Sequence, residues 1–340
     1  MKTTSINSNN MKIKNYLLTA AALLAMSCTT QESQDPLPSW NDTPIKQQIL
    51  EYVNVKAQQI PVEDRVAVFD MDGTIACERP LWFEMAVAAQ KMADDAETNP
   101  ELLKDTSYQY ATKLSKNPED TTVLNHWFVD GADYLDSLLL KSFNGVEYEE
   151  FVDYARNYIT QTDAPKYGKY GDLFYQPMLE LLDLLKQKQF QIYIVSGSMQ
   201  GIVWSICPQT TGFDRSHLIG TRQAVGISFD KGDQVSYVIE KSVLKPKNNY
   251  YGKSINIYYH IGKTPVMAVG NTVGDFGMFH MASKSKYPHF AMMLNHDDAE
   301  REYAYAPFYS GNPNWQDSLR LNNWIQADMS KEFKTVWMKK

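Results

Sequence analysis

Little in this chain is cross-linked, repeated or strongly basic. Of its three cysteines only Cys77 and Cys207 lie in the body of the chain, and two cysteines so far apart in sequence read as separate small core residues rather than a disulfide. No internal repeat occurs, and no low-complexity tract apart from a short polar stretch near the N-terminus. Collagen-like, disordered and multi-pass membrane architectures are thereby disfavoured. The net charge is −7, a poor start for a protein whose main partner is a polyanion, so nucleic acid is not expected as a partner. The six histidines show no His-Glu-x-x-His spacing and read as structural residues. There is no Gly-x-Ser-x-Gly elbow and no Gly-x-x-x-x-Gly-Lys phosphate loop, which leaves a serine hydrolase or a nucleotide triphosphatase unsupported. What remains is an ordinary globular composition, 44% hydrophobic and 21% charged, in a chain long enough for one large domain or two modest ones.

The first thirty residues stand apart. Lys12 and Lys14 precede an apolar run over 16–26, too short to span a bilayer, and then Ser27 and Cys28. The segment Leu24-Ala25-Met26-Ser27-Cys28 resembles a bacterial lipoprotein cleavage box. That resemblance implies a signal peptide over 1–27, lipidation of Cys28, export, and anchoring in the cell envelope, with 28–42 as a polar tether carrying Pro36 and Pro38. The competing reading is a buried N-terminal helix with an incidental cysteine. Residues 1–27 hold three lysines and no acid, so the remainder carries −10.

A short helix is expected over 43–57, then a strand: Val66-Ala67-Val68-Phe69 is a continuous apolar run, the mark of a strand buried on both faces of a parallel sheet. Residues 79–165 read as helices (81–92, 100–114, 122–141, 148–160) without a convincing strand. From 171 onward helices (176–188, 199–205, 275–282) alternate with strands (190–195, 265–269, 290–294), and 226–242 reads as a hairpin added to them. The pattern predicts an α/β doubly wound parallel sheet with a helical domain inserted after the first strand: a core of 43–78 and 166–340, and an insert of 79–165.

Three strand ends carry chemistry. Asp70-Met71-Asp72-Gly73-Thr74 follows the first strand, and ligand sites of open α/β sheets lie at the carboxyl ends of their strands. Alternation puts Asp70 and Asp72 on one side with Met71 turned away. Two carboxylates in one small volume repel, which raises one pKa and suits a nucleophile beside a proton donor. Gly73 allows a sharp turn, and Thr74 offers a hydroxyl to an anion. The second piece is Ile192-Tyr193-Ile194-Val195-Ser196-Gly197-Ser198, a strand emptying into a small polar turn that can hold an anion at a helix start or merely cap the helix. The third is Val266-Met267-Ala268-Val269-Gly270-Asn271-Thr272-Val273-Gly274-Asp275, which ends in a carboxylate-bearing loop. If a carboxylate here attacks a phosphoryl group, anion meets dianion, so positive charge is required; magnesium is the expected source, with a lysine assisting. Lys241, Lys245, Lys247, Lys253 and Lys263 are candidates that spacing does not separate.

These pieces in this order resemble the haloacid dehalogenase superfamily over about residues 61–305. Within it FDMDGTIACERPLWFEMA, YQPMLELL, IVSGS, AVGNTVGDFGMF and HDDAEREYAYAP are similar to secreted bacterial hydrolases related to phosphoserine and phosphorylcholine phosphatases. The resemblance implies a Mg2+-dependent phosphatase acting on a small phosphorylated alcohol. Asp70 would attack phosphorus and form an aspartyl-phosphate, and Asp72 would protonate the leaving alcohol and then activate water. Ser196, Gly197 and Lys253 would hold the phosphoryl oxygens, with Lys263 the runner-up lysine. Asp70, the backbone carbonyl of Asp72, and Asn271 and Asp275 of the last loop would hold the metal. Asn271 stands where many members carry Asp, and Val273 where another acid is expected, which leaves Asp275 as that loop's carboxylate. The insert matches the family's substrate-selecting cap, and Glu78, Arg79, Trp82 and Phe83 would line its entrance. An aromatic cluster there can hold a quaternary amine such as phosphocholine, although Trp82, Phe83, Trp127 and Phe128 fit the insert's own core better. Asp72 argues against dehalogenation, and export argues against a cytoplasmic sugar-phosphate mutase. A ligand-binding envelope lipoprotein on the same fold is the reading from a different class.

Overall fold

The computed structural model describes residues 1, 35–120, 132–231, 234–306 and 314–339. The signal segment, Cys28, the first part of the tether, His126, Trp127 and Phe128 lie outside the described residues. Six strands make one parallel sheet: β1 (Val66–Phe69), β2 (Gln191–Met199), β3 (Leu218–Thr221), β6 (Met267–Gly270), β7 (Phe290–Asn295) and β8 (Ile325–Asp328), in the order β8-β7-β6-β1-β2-β3. The chain builds outward from β1 through β2 and β3 and then restarts on its other side with β6, so β1 and β6 flank the point where the winding reverses. Loops at such a point splay apart and leave a crevice at the carboxyl ends of the strands. β4 (Gln223–Lys231) and β5 (Gln234–Val243) form the separate hairpin that the pattern over 226–242 predicts.

The central strands are apolar without a break because both faces are covered. Along β1, Ala67 and Phe69 join one buried cluster and Val66 and Val68 the other; on β6, Met267 and Val269 part from Ala268 in the same way. This period of two sorts a continuous apolar run into two cores. One is closed by α6 (Gln176–Gln187) and α7 (Gln200–Thr211), the other by α8 (Tyr251–Ile261), α9 (Phe276–Ser283) and α10 (Trp315–Leu321). Between β1 and β2 lie α2 (Phe83–Thr98), α3 (Thr106–Lys116), α4 (Ala132–Phe143) and α5 (Tyr148–Gln161), whose buried residues belong to the first of these clusters. A two-residue ladder, Asp163–Ala164 with Gly168–Lys169, closes this segment. Among the described residues no helix is long and apolar enough to cross a membrane.

Several expectations need correction. The tether expected to run to residue 42 ends earlier, because Leu37 and Trp40 are buried and the Trp40 indole donates to the Pro177 carbonyl at 2.8 Å. The helix expected over 199–205 runs on to Thr211, carried by buried Ile202, Val203, Ile206 and Cys207. The sheet gains two strands, β3 and β8; both are four residues long and carry too little pattern to stand out from extended or C-terminal chain. Cys77 and Cys207 are free and buried apart, with Cys207 Sγ against Met71 Sδ and Cys77 Sγ on Glu302. α1 (Pro44–Glu51) opens on Thr43, whose hydroxyl accepts from the Lys46 N–H.

Because its ring is buried and its N–H is satisfied, Trp40→Ala is expected to destabilise the protein by about 3–5 kcal/mol. A urea titration checks this, and a wild-type midpoint would mean that 37–42 is not part of the core.

Candidate active site

The turn after β1 is wound tightly by its own backbone. The Met71 carbonyl accepts the N–H groups of Thr74, Ile75 and Ala76, and the Gly73 N–H returns to the Ala76 carbonyl. Gly73 has φ +73°, and a Cβ there would lie 1.9 Å from Asn271 Nδ2, so glycine is required twice over. Met71 turns into the core, as alternation predicts, while Asp70 and Asp72 remain in the crevice, both buried.

Each carboxylate has its own surroundings. Lys253, in the first turn of α8, bridges Asp70 and Asp275, with Nζ 2.5 Å from Asp70 Oδ1 and 2.7 Å from Asp275 Oδ1. Gly252 lets that helix start come close, since a Cβ there would sit 1.9 Å from the Lys247 carbonyl. The lysine that the resemblance favours is thus at the centre of the site. Lys263 is instead at the surface on Glu63 and Asp64, beside the start of β1 and away from Asp70. Asp275 Oδ2 accepts from the backbone N–H groups of Asn271 and Thr272, both at 3.0 Å, which closes the loop after β6 as a capping box. Asp72 Oδ2 accepts from the hydroxyls of Ser196 at 2.8 Å and Ser198 at 2.9 Å. Among the described residues Asp72 Oδ1 is buried without a hydrogen-bond partner.

Burial pushes the Asp70 carboxyl well above its ordinary value, and Asp275 adds to this against the pull of Lys253. Burial likewise raises Asp72 to about 6, with Glu78 repelling its charge and the serine hydroxyls favouring it. Burial opposes the charge on Lys253, yet Asp275 and Asp70 more than offset it and hold the ammonium. Both carboxyls therefore hold a proton more readily than a free aspartate does; Asp70 differs in being paired to a lysine, and Asp72 in facing two hydroxyls.

Other residues are placed differently from expectation. Glu78, expected at an entrance, is buried within the site: Oε1 accepts from Asn271 Nδ2 at 3.0 Å and Oε2 from the Trp82 indole at 2.7 Å. Asn271 is therefore held between Asp275 and Glu78. Phe83, by contrast, is core as the favoured reading of the insert's aromatics expects, edge-on to Tyr170. The Arg79 guanidinium lies over the Tyr305 ring at 4.3 Å, and Trp82 is half-buried. Gly197 is exposed at the rim, and its carbonyl accepts from Thr221 Oγ1. Two positioning residues escape sequence reasoning. Asn248 is fully buried and donates to the carbonyls of Ser196 and Ile219, tying together the ends of β2 and β3. Glu84, on α2, accepts from the Met199 N–H at the start of α7. Glu84 lies within the segment after the first strand but bears no role there on spacing, Asn248 lies in none of the segments, and each acts only through chain brought near by folding.

Among the described residues no three His, Cys, Asp or Glu side chains converge as a metal cluster. A divalent cation here would rely on fewer carboxylates, supplemented by carbonyl or amide oxygens, which is how magnesium is commonly bound. The donors are hard oxygens, and of the four buried carboxylates Asp70, Asp72, Glu78 and Asp275 only Asp70 and Asp275 are bonded to the Lys253 ammonium. The site is short of positive charge, so its residues fit such an ion.

A sheet reversing at β1, with an Asp-x-Asp turn, a serine turn, a lysine and an acidic loop on successive strand ends, defines a hydrolase of the haloacid dehalogenase-like type. The family profile for haloacid dehalogenase-like hydrolases matches residues 67–280, and the chain belongs to that family. No curated protein sequence matches it. Among solved structures it is similar to a conserved, functionally unknown protein from Anaerococcus prevotii, with 15% identity and TM-score 0.54, covering 86% of this chain and 94% of that one. It is also similar to a protein of unknown function from Bordetella pertussis, with 13% identity and TM-score 0.48, covering 78% and 98%. A phosphoserine phosphohydrolase-like protein from Francisella tularensis has 14% identity and TM-score 0.39, covering 78% and 97%. The first of these likenesses is one of fold.

Asp72 binds a proton in the folded chain between its ordinary value of 3.8 and about 6. Within that window the unfolded chain gives up the proton and the folded chain keeps it, so wild type should lose stability relative to Asp72→Asn as pH rises from 3.8 to about 6 and level off above it, by up to about 3 kcal/mol in all. Urea titrations of both proteins across that range check the sign; a difference independent of pH would mean that Asp72 titrates normally.

Proposed function

We propose that the protein is a magnesium-dependent phosphomonoester hydrolase acting through an aspartyl-phosphate on a small phosphorylated alcohol. The observation that carries this is the pairing of Asp70, held by Lys253, with the proton-retaining Asp72 at the carboxyl end of β1. An Asp70 carboxylate oxygen attacks phosphorus, the bond from phosphorus to the alkoxy oxygen breaks, and Asp72 gives its proton to the leaving alcohol. Water then attacks the phosphoryl group on Asp70, Asp72 takes a proton from it, and phosphate leaves with both carboxyl groups restored. Lys253 moves its hydrogen bonds from the carboxylates toward the phosphoryl oxygens, joined by Ser196 and the exposed backbone at Gly197. Asp70, the carbonyl of Asp72, Asn271 and Asp275 would hold the cation. Bound there, it would supply the positive charge that lets a phosphate dianion approach a carboxylate.

The helices between β1 and β2 would cover the crevice as a cap, with Arg79 and Trp82 nearest the substrate. The N-terminal segment supports the same reading of an exported enzyme anchored through Cys28, with phosphomonoesters outside the cytoplasm as substrates.

Phosphate release by the purified protein, with magnesium or chelator, from phosphocholine, phosphoethanolamine, phosphoserine and sugar phosphates tests this. Release should require magnesium and be abolished in Asp70→Asn, and Asp72→Ala should lower kcat about 10²–10⁴-fold. No release from any ester by folded protein would favour a binding protein on this fold.

A further inference from the structure

Behind the turn that carries Asp70 and Asp72 lies a second buried group of polar side chains that takes no part in the reaction above. His296 follows the last residue of β7, and Glu302 lies six residues further on; both are buried. The ring nitrogen Nε2 is 2.7 Å from the Gly73 carbonyl oxygen, and Nδ1 is 3.2 Å from Glu302 Oε2. Glu302 is already fully used as an acceptor. Its Oε1 accepts from the Tyr175 hydroxyl at 2.8 Å and the Cys77 thiol at 3.2 Å, and its Oε2 from the Tyr303 N–H at 2.6 Å. A carboxyl surrounded by donors on both oxygens is held in its ionised form. Burial opposes that charge, but His296 and the other donors hold the Glu302 carboxyl below its ordinary value.

The ring therefore faces an acceptor at each nitrogen. A carbonyl oxygen never donates, and an ionised carboxylate has no proton to donate, so both ring nitrogens must carry hydrogen. The Tyr305 ring stacks on the imidazole at 4.4 Å and 18°, with the Arg79 guanidinium over Tyr305 in turn. The bond from Nε2 ends on the residue that turns the chain just after Asp72. Gly73 is left-handed, with no room for a side chain beside Asn271 and Glu78, and its carbonyl lies in the peptide that follows the one joining it to Asp72.

We propose that His296, kept as an imidazolium by Glu302, is the positioning residue of the catalytic turn: by holding the Gly73 carbonyl it sets Asp72 against Asp70. Its contribution falls on the chemical step rather than on substrate binding. The kinetic part of this rests on the phosphomonoesterase reading, and the protonation of the ring does not.

Nuclear magnetic resonance of the full chain labelled with ¹⁵N-histidine reads the ring directly, with His296 assigned in wild type by its through-space contacts to the stacked Tyr305 ring. Two ring N–H groups are expected on His296 at neutral pH, and one in Glu302→Gln. In kinetics, His296→Gln should lower kcat about 10²-fold, as for a misplaced catalytic group, while KM stays within about twofold. A singly protonated ring in wild type overturns the proposal even if neither variant folds, and so does a folded His296→Gln protein with wild-type kcat. If wild type hydrolyses no phosphomonoester, the proposed function fails, and the ring protonation alone decides whether the His296–Glu302 pair exists as described.

Discussion

Four carboxyl groups taken out of water at one end of a sheet are the constraint on which the rest of this structure depends. Asp70, Asp72, Glu78 and Asp275 repel one another, and each requires an answer from the fold. Asp275 has Lys253 and two backbone amides, Glu78 has Asn271 and the Trp82 indole, and Asp72 has two serine hydroxyls and a proton it is slow to lose. Asp70 has Lys253. Removing one partner of such a buried pair typically costs about 3–5 kcal/mol, so the arrangement stands or falls together. It is also what makes the groups useful, because charges held apart from water interact strongly with anything that enters.

The parallel sheet meets this demand by geometry. Every strand delivers its carboxyl end to the same edge, where loops can turn backbone amides inward, and the reversal beside β1 leaves room between the loops after β1 and β6. Elements far apart in sequence then act as supports. Asn248 ties β2 to β3, Glu84 joins the helical segment to the start of α7, and His296 backs the turn from the far side. The two excursions from the sheet also meet: the Gly145 N–H donates to the Ile239 carbonyl, and the Ile239 N–H to the Val146 carbonyl. The hairpin of β4 and β5 is in this way attached to the helices that precede β2.

The doubly wound sheet was legible because β1, β2, β6 and β7 are apolar runs that stop abruptly in polar motifs. β3 and β8 were not, since four residues offer almost no period to read. The Asp-x-Asp turn, Ser196 and the acidic loop stood out for the same reason: chemistry-bearing residues at fixed offsets after a buried strand. Lys253 was selected by resemblance, because five lysines were equivalent on spacing, and it is burial between Asp70 and Asp275 that separates it from Lys263. Glu78 was assigned to an entrance from proximity to the motif alone and in the fold turns into the carboxylate group, whereas Phe83 takes the core place that the favoured reading of the insert's aromatics gave it.

The amino-acid sequence by itself determined the strands β1, β2, β6 and β7, the Asp-x-Asp turn at the end of β1 and the order in which the functional pieces occur. These are local properties, expressed by hydrophobic period, by a glycine at a left-handed turn and by residues a few positions apart. Tertiary structure alone decided which lysine is buried, which oxygen of Asp72 is left unpaired, that Glu78 holds Asn271, and that His296 rests on Gly73. Each of those depends on groups separated by tens to hundreds of residues coming within about 3 Å, a hydrogen-bond distance that no spacing along a chain specifies.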